Sequence, residues 1–182
     1  MRRRDFITLL GGAAAAWPVV ARAERVPRIG VLVVADNPVN RTNLAALLRG
    51  LERAGWSDGR NVRIDIRFAE DEQVRARAQE LVALQPEVIV AHTTPAAIAL
   101  QRQTRTIPIV FLAVADPIGA GLVASLARPE ANLTGFLSYQ DTITGKWLAM
   151  LKEIAPGLER VALVANPKTS PYDYFMGAAR TR

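Results

Sequence analysis

The sequence predicts an α/β fold in which a parallel sheet carries helices on both faces. Short continuous apolar runs such as Arg28 to Val34 are followed by turn-forming residues, which is typical of buried parallel strands. Segments with helical spacing separate these runs, and such alternation implies right-handed crossovers within one sheet. Half of the 182 residues are hydrophobic and 22% are charged, so the chain has enough apolar material to form a core.

The first three elements after this strand follow from apolar periodicity. From Asn40 the apolar positions take helical spacing, and the pattern stops at Gly55. The segment Val62 to Phe68 alternates apolar and charged residues, which predicts a half-buried strand at a sheet edge. Asp71 is a candidate cap for a second helix, which Gln85 and the proline after it would end.

The next elements keep the same rhythm. The pattern predicts a strand at 88–91, a helix at 96–103, a strand at 109–114 and a further segment leading into 119–126. Thr94 is the predicted N-cap of the helix at 96–103, and Pro95 would take its first position, where a missing N–H costs nothing. These elements belong to one predicted domain, residues 24–136.

A second unit begins after the first. Leu133 to Leu137 is a predicted short strand, and a helix from about Asp141 to Ile154 precedes a strand from Arg160 to Ala165. The loop from Asn166 to Pro171 then leads to a helix that starts near Tyr172. We expect residues 137–182 to be an incomplete second lobe that resembles the first.

The first 23 residues have the features of an export signal. A basic start precedes an apolar stretch, and Ala21-Arg22-Ala23 matches the small-x-small pattern of signal peptidase sites. Arg3-Arg4-Asp5-Phe6-Ile7 resembles a twin-arginine signal, although an ordinary Sec signal stays an alternative. We therefore expect a periplasmic protein that uses the export machinery and is cleaved after Ala23.

Composition excludes several functions. The chain has no Cys, which rules out disulfides, thiolate metal sites and a cysteine nucleophile. The formal net charge is +6, and the first 23 residues contribute half of it. The other basic residues are dispersed rather than clustered on one face, so no nucleic-acid partner is expected. Acidic residues at metal-site spacing are absent as well, and we expect no metal and no cofactor.

Two catalytic motifs match in pattern but not in context. Gly55 to Gly59 fits the G-x-S-x-G nucleophile elbow, yet it lies between a helix and a strand rather than the reverse, and His92 is the only candidate base for Ser57. Gly119 to Ala124 fits the G-x-G-x-x-A dinucleotide fingerprint, but it follows the fourth strand instead of the first. An enzyme is therefore disfavoured.

Open parallel sheets bind their ligands in loops at the carboxyl ends of the strands, and this rule selects the candidate site. The candidate ligand-binding residues at these strand ends are Asp36, Asn37, His92, Thr93, Thr94, Asp116, Asn166 and Tyr172. Thr93 and Thr94 offer hydroxyls beside free backbone N–H groups at a helix start, which suits a carboxylate or a phosphate. The alternative is that Thr94 only caps its helix and that His92 is a solvated loop residue.

Several stretches resemble the ABC transporter substrate-binding proteins of the TrpX-like, type I periplasmic-binding-protein kind. The resemblance covers residues 28–171. It is carried by Arg28-Ile-Gly-Val-Leu, Gly55-Trp56, Gly59-Arg-Asn-Val-Arg-Ile, Thr94-Pro-Ala, Thr106-Ile-Pro-Ile-Val-Phe, the block from Val114-Ala-Asp-Pro to Ala127-Arg-Pro, Asn132-Leu-Thr-Gly-Phe, Gly145-Lys-Trp and Lys152-Glu-Ile-Ala-Pro.

The resemblance implies two flavodoxin-like lobes that close on a small amino-acid-like or carboxylate solute and deliver it to an ABC transporter permease. Thr94-Pro95-Ala96 and Asp116 would line the first lobe's half of the cleft, and Asn166 to Tyr172 would begin the other half. The pair His92-Thr93 departs from the family, where a small or amide residue with Gly is more usual.

Members of this family are also much longer than this chain. We therefore expect a C-terminally truncated form whose binding is impaired. The rival interpretation is a stand-alone flavodoxin-like domain, such as a receiver, or a nucleotide-binding enzyme. A receiver would need an acidic cluster after the first strand, where only Asp36 is present.

Overall fold

The computed structural model describes residues 26–129, 131–138, 143–164 and 175–176. Within these ranges the chain forms strands and helices that alternate as predicted. The strands are β1 (Arg28–Val34), β2 (Arg63–Ala69), β3 (Val88–His92), β4 (Ile109–Val114) and β5 (Leu133–Leu137), and the helices are α1 (Pro38–Arg53), α2 (Val74–Ala83), α3 (Thr94–Gln103) and α4 (Ile143–Ile154). The predicted strands up to β5 agree with the observed ones to within one residue at each end.

The strands form one sheet in the order β2-β1-β3-β4-β5, and every neighbouring pair is parallel. The chain leaves β1 toward β2 through α1 and then crosses back to β3 on the other side of β1 through α2. Right-handed crossovers in these opposite directions place α1 on one face and α2 and α3 on the other. The α/β prediction is confirmed, and the strand order reverses between β1 and β3.

The main core lies between the sheet and the α2–α3 pair, which contact each other. Leu32, Ile89 and Phe111 come from three adjacent strands and pack in one cluster with Leu81 of α2 and Leu100 of α3. These side chains are almost completely enclosed. Burial of this kind stabilises a fold by roughly 1.5–3 kcal/mol for each large apolar side chain.

The β2 edge of the sheet is charged, as the alternating sequence predicts. Arg28 Nε lies 3.1 Å from Asp65 Oδ2, and Arg63 Nε lies 3.8 Å from the same oxygen. Arg67 Nε lies 3.1 Å from Glu80 Oε2 of α2. The Arg28–Asp65 pair links β2 to β1 and the Arg67–Glu80 pair links β2 to α2, so charged side chains of this edge strand also hold its neighbours.

At the other edge of the described sheet, β5 is uncharged, unlike β2. Its sequence carries no charge, and the Phe136 side chain is 70% exposed. Gly135 lies so close to β4 that a Cβ atom there would come within 2.1 Å of the Phe111 carbonyl oxygen. Only glycine allows β5 to approach β4 in this register.

The capping of α2 and the conformation of residues 119–126 differ from a regular alternation of strands and helices. Helix α2 begins at Val74, and its N-cap residue is Gln73 rather than the predicted Asp71. Residues 119–126 are not helical: Gly121 has a φ of +68°, and successive turns run from Asp116 to Leu122. The buried side chains of Leu122 and Val123 fix this segment to the core instead.

A third difference concerns residues 160–164, which are not in a strand. Val161 and Val164 are 51% and 94% exposed. A strand forms only where a neighbouring strand supplies hydrogen bonds, and within the ranges given above the one sheet ends at β5. The predicted strand from Arg160 therefore lacks the pairing that its apolar pattern requires, and the residue at 165 lies outside those ranges.

Candidate functional site

Each of the three central strands has a residue with positive φ at or near its carboxyl end. Ala35 after β1, Thr93 after β3 and Ala113 near the end of β4 have φ values of 65°, 82° and 56°, which side chains rarely adopt. The pairing of β4 with β5 also shifts between Phe111 and Val114. Residues held in such conformations cluster at binding sites, and here they surround the point where the strand order reverses.

Asp36 follows β1, and Arg41 of α1 holds it with two hydrogen bonds. Arg41 Nε and Nη2 donate to the two carboxylate oxygens at 2.6 and 2.7 Å. These hydrogen bonds lower the pKa of Asp36 below its usual range. The same guanidinium lies 5.9 Å from the ring centroid of Phe68 at the end of β2. Asp36 is at the predicted edge, but its charge is already matched by Arg41.

Asn37 is the N-cap of α1. Its side-chain oxygen accepts a hydrogen bond from the Asn40 backbone N–H at 2.9 Å. The Asn40 side chain in turn donates to the carbonyl oxygens of Val34 and Ala35 at 2.9 and 2.8 Å. The two asparagines therefore fix the turn between β1 and α1, and Asn37 has this structural role in addition to any contact with a solute.

Thr93, and not Thr94, is the N-cap residue of α3. Its φ and ψ of 82° and 163° fall in a region that is almost restricted to glycine, and its side chain makes no capping bond. The backbone is held on both sides, because Thr93 N–H donates to Leu112 O at 2.8 Å and Thr93 O accepts from Ala97 N–H at 3.2 Å. The predicted cap at Thr94 is wrong by one residue.

The first turn of α3 offers backbone donors at this edge. Thr94 and Ala96 lie in the first turn, where N–H groups have no partner inside the helix, and Pro95 between them has no N–H. The side chain of Ala96 is completely buried in the core, so only its backbone can meet a solute. The Thr93 hydroxyl oxygen is enclosed and has no hydrogen-bond partner in the described part of the chain.

His92 is the last residue of β3, and it pairs in register with Val33 on one side and Leu112 on the other. The imidazole is half-buried among these strands, and burial lowers its pKa below the ordinary value of 6.5. Nδ1 is enclosed and has no partner among the residues that the structure describes. His92 is therefore uncharged at neutral pH.

Asp116 follows β4 and is partly engaged by its own loop. Its Oδ1 accepts the Gly119 N–H at 2.7 Å, and its backbone oxygen accepts the Ala120 N–H at 3.0 Å. A Cβ atom on Gly119 would lie 2.0 Å from Asp116 Oδ2, so a side chain there would displace the carboxylate. The carboxylate fixes the loop and remains half-buried at the edge.

The structure thus brings together the predicted residues of the first lobe at adjacent strand ends. Asn166 and Tyr172 lie outside the described residues. Sequence reasoning missed Arg41, Asn40 and the irregularity at Ala113. The pair Asp36 and Arg41, five residues apart across a helix start, was a signal that could have revealed the first of these.

The structure gives neither of the two catalytic motifs the surroundings that its chemistry needs. Ser57 lies between α1 and β2, at the amino end of the sheet, whereas His92 ends β3 at the opposite edge. Gly55 and Gly59 have φ values of 90° and 75° and serve the turn between α1 and β2. Residues 119–129 contain no helix, so the dinucleotide fingerprint lacks the helix N-terminus that its chemistry needs.

An apolar groove of about 770 Å³ lies away from this edge, between α4 and residues 158–163. Trp147, Leu151 and Leu163 are among its lining residues, and none of the carboxyl-edge residues lines it. In the part of the chain described, no cluster of His, Asp or Glu could hold a metal ion. No described helix is long and apolar enough to cross a membrane.

A family model for ABC transporter substrate binding proteins matches residues 28–172. The chain belongs to this family. Its members are substrate-binding proteins rather than enzymes, and substrate-binding proteins of ABC transporters are extracytoplasmic. The family match extends from β1 through the carboxyl-edge loops and beyond α4, so it includes every predicted site residue.

Relatives of known structure or name agree with this assignment. A tyrosine-binding protein of Clostridioides difficile is 30% identical over 146 residues, which are 79% of this chain and 42% of that protein. A conserved domain protein of Vibrio cholerae has a TM-score of 0.76 at 31% identity, over 85% of this chain and 54% of that one. A Streptococcus protein in complex with L-Trp has a TM-score of 0.67 at 29% identity, over 74% and 45%. The chain spans about half the length of these relatives.

Proposed function

We propose that this chain supplies the first lobe of a two-lobed solute receptor that serves an ABC importer. The observation that carries the proposal is the position of the polar strand-end residues at the reversal of strand order, in a chain of the substrate-binding family. Residues 24–136 form this lobe, and the segment from 137 onward opens a second one. The core cluster under α2 and α3 supports this division, because its described members come from no residue beyond Leu137.

The solute is a small amino-acid-like or carboxylate-bearing molecule. The free N–H groups in the first turn of α3 and the positive end of the helix dipole suit a carboxylate. Asp116, at the next strand end, supplies the negative charge that an ammonium group needs. The relatives that carry tyrosine and L-Trp in their names make aromatic amino acids the first solutes to test.

The partner of the loaded receptor is an ABC transporter permease, as the family implies. The protein reaches the periplasm through the export signal at its start, with cleavage after Ala23. The paired Arg3 and Arg4 favour the twin-arginine route. N-terminal sequencing of periplasmic material tests the cleavage, and replacement of both arginines with lysine distinguishes the routes because it blocks twin-arginine transport but spares Sec.

Affinity depends on both lobes. A two-lobed receptor binds tightly because closure buries the solute from both sides and excludes water. The edge described above supplies only one half of that enclosure. We therefore expect weak binding, at millimolar concentration, by this chain alone.

Calorimetry with a panel of amino acids tests the proposal on two proteins. One is this chain, and the other is a chimera in which residues from 143 onward are replaced by the second half of the L-Trp-binding relative. The chimera should bind an aromatic amino acid in the micromolar range or tighter, and the chain alone should bind at least a hundredfold more weakly. Equal and tight binding by the chain alone, or no binding by a folded chimera, would contradict the proposal.

Thr94→Ala in the chimera tests the site itself. Thr94 is not the N-cap residue of α3, so its replacement should leave the helix intact and probes the contact with the solute. Thr42→Ala is a matched control, since Thr42 is an exposed helical threonine of α1. Unchanged binding by the Thr94 variant would remove its hydroxyl from the site.

A further inference from the structure

The loop after β4, residues 116–123, folds back on itself. Ala120 N–H donates to Asp116 O at 3.0 Å. Leu122 N–H donates in the same way to Pro117 O at 2.8 Å. These bonds give the loop its internal shape, but they do not fix its place relative to the neighbouring elements. An attachment to another element is needed for that.

Gln101, in the last turn of α3, supplies such an attachment. Its Nε2 donates to Gly121 O at 3.0 Å and to Leu122 O at 3.3 Å. The buried side chains of Leu122 and Val123 anchor the same stretch in the core. Apolar packing is non-directional, whereas hydrogen bonds have a defined geometry. Gln101 therefore fixes how the loop is oriented on α3.

The position of this loop matters for binding because the loop begins with Asp116. In the proposed function the Asp116 carboxylate receives the ammonium group of the solute, and the first turn of α3 receives its carboxylate. These two groups of an α-amino acid are on the same carbon atom, so their partners must keep a fixed separation. Gln101 follows Thr94 on the same helix, about 10 Å along its axis. One helix therefore carries one partner and holds the loop of the other.

We propose that Gln101 is a positioning residue for recognition of the solute's ammonium group, because it holds the loop that begins with Asp116. This inference rests on the proposed function, and it assigns a role to a side chain outside the candidate site. Gln101 acts through the loop and not by touching the solute. A neutral hydrogen bond contributes a modest net free energy, so its loss should weaken binding by roughly three- to tenfold.

The test compares two solutes that differ only in the ammonium group. L-Tryptophan carries this group, and indole-3-propionate is the same molecule without it. Gln101→Glu keeps the shape of the side chain but replaces the donor with an acceptor. In NMR titrations of the whole chain, this variant should bind L-tryptophan roughly three- to tenfold more weakly and indole-3-propionate less than about twofold more weakly. The Gly119 N–H signal, which reports on the bond to Asp116 Oδ1, should also shift in the variant without solute.

Two further variants separate the hydrogen bonds from other effects of the substitution. Gln103→Glu makes the same chemical change two residues further on, at a position that does not share a helix face with Gln101, and should leave both affinities unchanged. Gln101→Lys keeps a donor of similar reach and should bind L-tryptophan within about twofold of the wild type. Urea denaturation checks that each variant is folded.

Asp116→Asn shows whether Gln101 acts through Asp116. The asparagine keeps an oxygen that can accept the Gly119 N–H, but it removes the charge that the ammonium group needs. Binding of L-tryptophan should weaken, and Gln101→Glu should cause no further loss when it is added to this variant. Two residues that act through one contact are expected to be non-additive in this way.

The outcomes distinguish this inference from the proposed function. Equal losses for the two solutes, additive losses in the double variant, or unchanged binding of L-tryptophan by folded Gln101→Glu would overturn the role of Gln101 and leave the receptor function in place. Equal affinity of the wild type for both solutes would also overturn it, because Asp116 would then not recognise the ammonium group. Absence of binding by both this chain and the folded chimera would overturn both proposals.

Discussion

The guanidinium of Arg41 engages both carboxylate oxygens of Asp36 across the start of α1, at 2.6 and 2.7 Å. This contact fixes the turn after β1 beside the β3–α3 junction. It also neutralises an acidic group at an edge where a carboxylate is expected to bind. The pair is exposed, so its effect should concern the charge at the site more than the stability of the fold.

The first prediction concerns this pair. In Arg41→Met the hydrogen bonds that lower the pKa of Asp36 are lost, so that pKa should rise toward its ordinary value. NMR titration of the Asp36 side-chain carbon measures the change. Arg49→Met, an exposed arginine on the same helix, is the matched control and should leave the titration of Asp36 unchanged. An unchanged Asp36 titration in the Arg41 variant would show that the pair is not formed in solution.

The second prediction concerns the backbone at Thr93. The conformation of Thr93 destabilises the folded state by about 1–3 kcal/mol when the residue is not glycine. A glycine would remove this strain but would lower the stability by roughly 0.5–1 kcal/mol, because it has more conformational entropy in the unfolded chain. Thr93→Gly should therefore raise the free energy of unfolding by about 1 kcal/mol in urea denaturation. Thr94→Gly, one residue into the helix, should lower it by about as much. A destabilised Thr93→Gly protein would show that the strain is absent.

The third prediction concerns two glycines in different surroundings. Gly119→Ala places a methyl group against the Asp116 carboxylate, which must then move and give up its hydrogen bond from the Gly119 N–H, at a cost of about 1.5–3 kcal/mol. Gly50→Ala, inside α1 with nothing within 4 Å of the new methyl, should stabilise by roughly 0.5–1 kcal/mol. Thermal unfolding of both variants measures the difference. If both variants changed the stability in the same direction, the contact between Gly119 and Asp116 would be contradicted.

The fourth prediction concerns the core between α2 and β1. Leu81 is completely enclosed, so Leu81→Ala should lower the free energy of unfolding by about 2–5 kcal/mol. Ile154→Ala at the end of α4 removes a side chain that is 79% exposed and should change it by less than about 0.5 kcal/mol. Urea denaturation curves measure both free energies of unfolding, and they can be compared directly if the dependence on urea concentration has the same slope in the two variants. A change of less than about 0.5 kcal/mol for Leu81→Ala would show that Leu81 is not part of the core.

The fifth prediction is a dependence of stability on pH. Burial lowers the folded-state pKa of His92, so the unfolded chain takes up the proton more readily. Stability should therefore fall as the pH falls through the ordinary value of 6.5 and level off below the folded pKa. In His92→Gln this step should vanish, while the carboxylates Asp36 and Glu80 act only in more acidic solution. An equal slope in both proteins between pH 7 and 5 would contradict the burial of His92.

Four of the five described strands could be predicted from sequence because each is a short apolar run between turn formers. The charged alternation of β2 even indicated its place at the edge. The segment at 119–126 could not be predicted in the same way. Its pattern fits a helix, but the side chain of Asp116 ties Gly119, and the left-handed Gly121 closes the turn. Such short-range polar contacts outweigh weak helix propensity.

The candidate site could also be predicted only in part. The rule that parallel strands end at one edge was sufficient to select Asp36, His92, Thr93 and Asp116 as neighbours. Sequence alone did not indicate which of their polar atoms are already engaged. Asp36 is held by Arg41 and Asp116 by its own loop, and these pairings depend on the positions of side chains in three dimensions.

Within the part of the chain that the structure describes, the two edges of the sheet differ in how readily another strand could pair with them. A strand that tried to add beside β2 would meet the alternating charges of Arg63, Asp65 and Arg67, which is a common defence against aggregation. Strand β5 offers an uncharged surface with the ring of Phe136 in solvent. Growth of the sheet into fibrils or misassembled oligomers would therefore start at β5, and a lysine in place of Phe136 would be the natural gatekeeper during expression.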